Sequence, residues 1–97
     1  MSGFARSIAV PTMPNADWQG DLDDDCWLQR YGLFAHVEKM DRNWWWFAVS
    51  RGREIGAQQL YNHADRGTSV DLKSGDIARI AAECVMEALR QSGHADE

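Results

Sequence analysis

The stretch Trp44-Trp45-Trp46-Phe47-Ala48-Val49 decides the fold, because it is the strongest strand candidate and carries three of the five tryptophans. Side chains of a strand alternate between faces, so Trp45, Phe47 and Val49 share one face and Trp44, Trp46 and Ala48 the other. A sheet with one buried face cannot hide both sets. We assign Trp45, Phe47 and Val49 to the core; the second set is either covered by something else or left to meet a partner. Arg42, Arg51 and Arg53 flank the stretch, so its surroundings are basic.

Upstream, Cys26 to Lys39 reads as a first strand region. Tyr31, Leu33, Ala35 and Val37 alternate with Arg30, Gly32, Phe34 and His36, and Gly32 marks a bulge or bend. Met40-Asp41-Arg42-Asn43 has turn chemistry and returns the tryptophan strand antiparallel. Downstream, Arg51-Gly52-Arg53 is a second tight turn. A strand over Glu54 to Tyr61 follows, with Ile55, Ala57 and Tyr61 on one face and Leu60 on the other. A loop from Asn62 to Gly67 leads to a short fourth strand over Thr68 to Leu72. Short connections favour an antiparallel meander.

A C-terminal helix is expected from Ser74, a good N-cap, through Asp76 near the positive helix end to a stop at Gly93. Ile77, Ile80, Ala81, Cys84, Val85, Ala88 and Leu89 form the apolar stripe that should face the sheet. Arg79, Glu83, Glu87 and Arg90 fall opposite, with Arg79–Glu83 and Glu87–Arg90 pairs; Met86 lies on this polar side as a candidate contact residue. The expected fold class is α+β. A four-stranded antiparallel meander packs against one C-terminal α-helix within a single domain, 26–93, between an extended or flexible acidic arm, 1–25, and a tail, 94–97.

Ninety-seven residues, 44% hydrophobic and 26% charged, suit one globular domain. No apolar run approaches the length of a membrane span, and Met1 to Val10 is too polar for a secretory segment, so a cytoplasmic protein without membrane association is expected. Cys26 and Cys84 match no metal spacing and read as buried thiols; His36, His63 and His94 are scattered. His63 and Asp65 near Tyr61, with Cys26 as a nucleophile, are the only catalytic grouping on offer, and no motif fixes their geometry. No enzyme, cofactor or metal is expected.

The net charge of −5 is unevenly spread: −4 over residues 1–25, +2 over 26–66 and −3 over 67–97. Asp21, Asp23, Asp24 and Asp25 put four carboxylates in five positions. Asp21, Asp23 and Asp25 match the first spacings of a calcium loop, but Cys26 stands where its glycine belongs and Gly32 where its glutamate belongs. A solvated acidic loop or a docking patch for a basic protein partner remains. Trp44, Trp46, Arg42, Arg51 and Arg53 could stack single-stranded bases, yet the acidic remainder would repel the backbone, so nucleic acid is the alternative partner. Tryptophan and arginine are also interface hot-spot residues. The candidate partner-binding set is therefore Asp21, Asp23, Asp24, Asp25, Trp27, Trp44, Trp46, Arg42 and Met86. The partner is a protein, and a homodimer or a small regulatory module through the tryptophan face is a further option.

The string Asp25-Cys26-Trp27-Leu28-Gln29-Arg30-Tyr31, followed by a turn, the tryptophan strand and an alanine-rich C-terminal helix, resembles a small phage anti-CRISPR family that inhibits type I CRISPR surveillance complexes. Residue matches cover about a quarter of the chain, and Gly56 to Ser74 has no correspondence. The resemblance implies a stoichiometric inhibitor that binds a Cas subunit and blocks DNA recognition or nuclease recruitment. It transfers no binding residues, since only the string itself matches.

Overall fold

Residues 13–66 and 72–93 are described by the structure, a computed structural model. Five antiparallel strands form one sheet in the order β1-β2-β3-β4-β5: β1 Gln19–Gly20, β2 Asp25–Arg30, β3 Leu33–Asp41, β4 Trp44–Ser50 and β5 Gln59–Asn62. A 3-10 turn, His63–Arg66, follows β5, and the helix α1 spans Gly75–Gln91. This is the expected α+β class, with five strands where four were expected.

The strand count differs for local reasons. Tyr31 and Gly32 take φ of 59° and 73°, so they form a two-residue turn of the primed type that matches strand twist. The expected single strand region is therefore a hairpin, β2–β3, with Cys26 opposite Val37 and Leu28 opposite Ala35. Gln19–Gly20 adds an edge strand on β2. The strand expected from Glu54 starts only at Gln59; Ile55 is fully exposed in the preceding loop. The expected strand over Thr68–Leu72 lies outside the described residues except Leu72, which is buried and whose carbonyl accepts from Trp45 N at 2.9 Å. Of the arm expected over 1–25, residues 1–12 lie outside the described residues, as does the tail 94–97.

The tryptophan strand sits as its alternation predicts. Trp45, Phe47 and Val49 are buried, together with Cys26, Leu28, Leu33, Ala35 and Val37, under α1. Trp44 is 55% exposed. The turn at Arg42-Asn43 is also where expected, with Asn43 at φ 56° and a bulge between Lys39 and Asp41.

The helix ends agree with its caps: Ser74 Oγ accepts from Ile77 N at 3.2 Å, and Gly93 beyond the C-terminus takes φ 84°. Its rotation does not agree. The buried residues are Gly75, Ala78, Arg79, Ala82 and Met86, while Ala81, Val85 and Leu89 are half-buried beside the core and Ile77 and Ala88 are exposed. The face in contact is turned by about one residue step from the expected stripe. Small side chains at 75, 78 and 82 let α1 seat closely: a Cβ on Gly75 would stand 3.0 Å from the edge of the Trp45 ring. Met86, expected on the polar side, is fully buried and fills the core instead.

The residues expected to line the solvent side of α1 tie other segments to it. Arg79 pairs with Asp76 at 2.6 Å, not with Glu83. The Glu83 carboxylate accepts from Asn15 N and from Trp18 Nε1, both at 2.7 Å, which docks residues 15–18 on the helix and buries Trp18. Glu87 and Arg90 do pair, at 2.5 Å. No helix among the described residues is long and apolar enough to cross a membrane.

Candidate functional site

The acidic loop between β1 and β2 is a built turn. Asp21 N donates to Asp25 O at 2.9 Å, Asp24 N to Asp21 O at 3.0 Å, and Asp23 N to the Asp21 carboxylate at 2.9 Å. Two elements fasten it. Lys39 N on β3 donates to Asp24 O at 2.7 Å. From α1, Arg79 Nη1 donates to Leu22 O at 2.8 Å and lies 3.6 Å from Cys26 Sγ, while Nη2 holds Asp76. One buried guanidinium therefore joins the loop, the core and the first helical turn. The side chains of Asp21, Asp23 and Asp24 stay exposed on this pinned backbone.

The Lys39–Asp24 bond sets the acidic loop beside the β3–β4 hairpin, and the Trp45–Leu72 bond sets that hairpin beside the start of α1. Leu22, Met40, Trp44 and Ile77, exposed by 46, 47, 55 and 46%, thus occupy one end of the sheet. They account for four of the six large hydrophobic residues exposed among the described residues, so the apolar exposure is concentrated rather than scattered. Asp21, Asp23, Asp24, Asp41 and Asp76 stand among them, with Arg42 exposed at the hairpin tip.

The sheet face away from α1 adjoins this end. Across the strands, Trp27 pairs with His36 and His36 with Ala48; Asp25 pairs with Glu38 and Glu38 with Trp46. His36 Nε2 bonds Asp25 Oδ1, and the His36 ring meets Trp46 edge-on at 5.8 Å. Trp46 is half-buried, and its indole N–H donates to Asn62 Oδ1 at 2.9 Å. Arg53 lies 5.9 Å from the Trp27 ring centre and 5.7 Å from that of Phe34. Gly20 takes φ 90° against the same indole, where a Cβ would stand 2.5 Å from the ring. Trp27, Arg53, Gln19, Gln29, Ala16, Asp17 and Trp18 line a shallow cleft of about 560 Å³.

The structure thus brings Asp21, Asp23, Asp24, Arg42 and Trp44 together at one end, and Asp25, Trp27 and Trp46 on the neighbouring face. Met86 leaves the set, since a side chain with no exposed surface cannot touch a partner. Residues that sequence reasoning missed are Leu22, Met40 and Ile77. The legible signal was Leu22, an apolar residue inside an acidic turn; Ile77 was hidden because its spacing also fits the helix stripe.

Cys26 is fully buried, and burial pushes its thiol up in spite of the Arg79 guanidinium beside it, which acts in the other direction. Burial, with the Glu83 carboxylate adding to it, also raises Cys84. His63 stacks on Phe47 at 5.5 Å. Among the described residues, no three His, Cys, Asp or Glu side chains are placed to hold a metal ion. Compared with protein-family models, curated proteins and solved structures, the chain matches none.

Proposed function

We propose that this chain is a non-enzymatic binding protein that docks its acidic, apolar-tipped end on a basic protein surface, and that the partner is a Cas subunit of a type I surveillance complex. The observation that carries the docking surface is the pinned loop: Asp21, Asp23 and Asp24 project from a backbone held by Arg79 and Lys39, beside the exposed Trp44. A rigid array of like charge steers association with a basic surface, and an aromatic anchor beside it slows dissociation. Pre-ordering by Arg79 removes loop entropy that binding would otherwise cost. The choice of a Cas subunit rests on the anti-CRISPR resemblance of Asp25–Tyr31 and the tryptophan strand, and a channel built for nucleic acid has the basic character such an end requires. Single-stranded nucleic acid is the less favoured partner, because Asp25 and Glu38 share a sheet face with Trp27 and Trp46 and would repel phosphates.

The test immobilises the chain and titrates purified type I Cas subunits at two salt concentrations, alongside a phage-targeting assay. Asp21→Asn, Asp23→Asn and Asp24→Asn combined should slow association about tenfold at low salt and less at high salt. Trp44→Ala should chiefly speed dissociation. Intact phage targeting with no Cas subunit bound removes the Cas assignment. Binding indifferent to both variants removes the docking surface. Tight oligonucleotide retention that strengthens in the asparagine variant moves the function to nucleic acid.

A further inference from the structure

The helix covers one face of the sheet, and the other face has a pattern that a solvated face does not need. An antiparallel sheet exposed on one side normally alternates core residues with polar ones. Here the outward positions of the central strands hold Trp27 on β2, Phe34 and His36 on β3, and Trp46 and Ala48 on β4, with Asp25, Gln29, Glu38 and Ser50 as the other members. Trp27, Phe34, His36, Trp46 and Ala48 are each half-buried or buried. Its charges are segregated. Asp25 and Glu38 face each other at one end, and Arg53 lies over Trp27 and Phe34 toward the other. Asp25 is engaged with His36. Glu38 and Arg53 make no ion pair among the described residues. The carboxylate of Glu54, next in sequence to Arg53, folds back over Gly52.

We infer that this face packs against the same face of a second copy, in a two-fold dimer that sets Arg53 of each chain against Glu38 of the other. The geometry follows from the register. Phe34 and Glu38 lie four residues apart on β3, about 13 Å, with His36 midway between them. On β4, Ala48 lies opposite His36, midway between Trp46 and Ser50. A two-fold axis lying between the two faces, along the row Trp27–His36–Ala48, exchanges the ends of each strand. The acidic end of one copy then meets the basic end of the other, twice. Ala48, small and central, permits close approach, and Trp27 and Trp46 supply the apolar contact. The charge pattern is self-complementary only in this antiparallel arrangement; the parallel one would set Glu38 against Glu38. The second copy also supplies the layer that the single helix cannot. The inference does not rest on the proposed partner, whose docking surface at Asp21, Asp23, Asp24 and Trp44 stays at the rim of each copy.

Sedimentation velocity over a concentration series tests it. The wild-type chain should pass from monomer to dimer as concentration rises, and the midpoint should move to higher concentration with added salt. Arg53→Glu and Glu38→Arg should each weaken dimerisation on the order of a hundredfold, since each sets like charges together at two symmetry-related contacts. The double variant Arg53→Glu with Glu38→Arg should recover the wild-type constant to within about threefold. Melting curves confirm folding of each variant; should a charge reversal unfold the chain, Arg53→Gln and Glu38→Gln must weaken dimerisation in the same direction. A chain that stays monomeric throughout overturns the inference. So does a dimer indifferent to both reversals, or a double variant no better than either single one. Oligonucleotide bound to this face by a monomer overturns it as well.

Discussion

Where β2 turns into β3, two arginines stand against the Tyr31 ring, Arg30 at 4.6 Å and Arg90 at 5.0 Å, and Glu87 holds Arg90 in place. At the opposite end, Arg79 points inward to Leu22 O and Asp76, and Leu22, Met40, Trp44 and Ile77 are left uncovered. Both ends join a hairpin to a terminal turn of α1 through an arginine. One uses its cations to shield an aromatic ring; the other uses its cation to fix a backbone and leaves the apolar side chains out. The open end is therefore the place to look for function: it is ordered by Arg79 without being closed, whereas the aromatic ring at the other end is already met by cations of its own chain.

The largest expected effect separates the two kinds of tryptophan at the open end. Trp45→Ala removes a buried ring beneath α1 and should cost about 3–5 kcal/mol in chemical denaturation. Trp44→Ala removes an exposed ring one residue away and should change stability by less than about 0.5 kcal/mol. Equal losses for the two would mean that Trp44 is covered, and the open end would no longer be open.

Arg79 gives the intermediate effect. Arg79→Met keeps an apolar stem but removes the charge-assisted bonds to Leu22 O and Asp76, which should cost about 1.5–3 kcal/mol. The same variant should speed hydrogen exchange at the amides of Asp21 and Asp24, whose bonds form the acidic turn. Loss of stability without faster exchange there would show that Arg79 serves the core alone.

The smallest effect lies at the shielded end. The Arg90 guanidinium beside Glu87 holds its carboxyl below the ordinary glutamate range. Because the folded-state value is depressed, the stabilisation is fully present above the ordinary range and is lost as pH falls through the folded value. Glu87→Gln should therefore melt slightly below wild type at neutral pH, by about 0.5 kcal/mol, and the difference should vanish in acid. A difference that persists at low pH would assign the loss to the hydrogen bonds with Arg90 and Gln91 rather than to charge.

Read as a sequence, the chain determined those features whose causes are local. Alternation along β4 placed Trp45, Phe47 and Val49 in the core, and turn chemistry placed Arg42-Asn43 between two strands. The Ser74 cap and the Gly93 stop bounded α1. Features decided by what lies alongside were settled only by the tertiary structure. Spacing alone ran the apolar stripe of α1 through Ile77, Ile80, Ala81, Cys84 and Val85, whereas close seating on Trp45 brings the face through Ala78, Ala82 and Met86 into the core. Arg79 and Glu83 could face inward because Leu22 O, Asn15 N and the Trp18 indole, each more than fifty residues away, satisfy them there. The Tyr31-Gly32 turn was unreadable for a similar reason. A tyrosine at positive φ is unfavourable by itself, and the two arginines that stand against its ring come from one neighbour in sequence and from the far end of the helix.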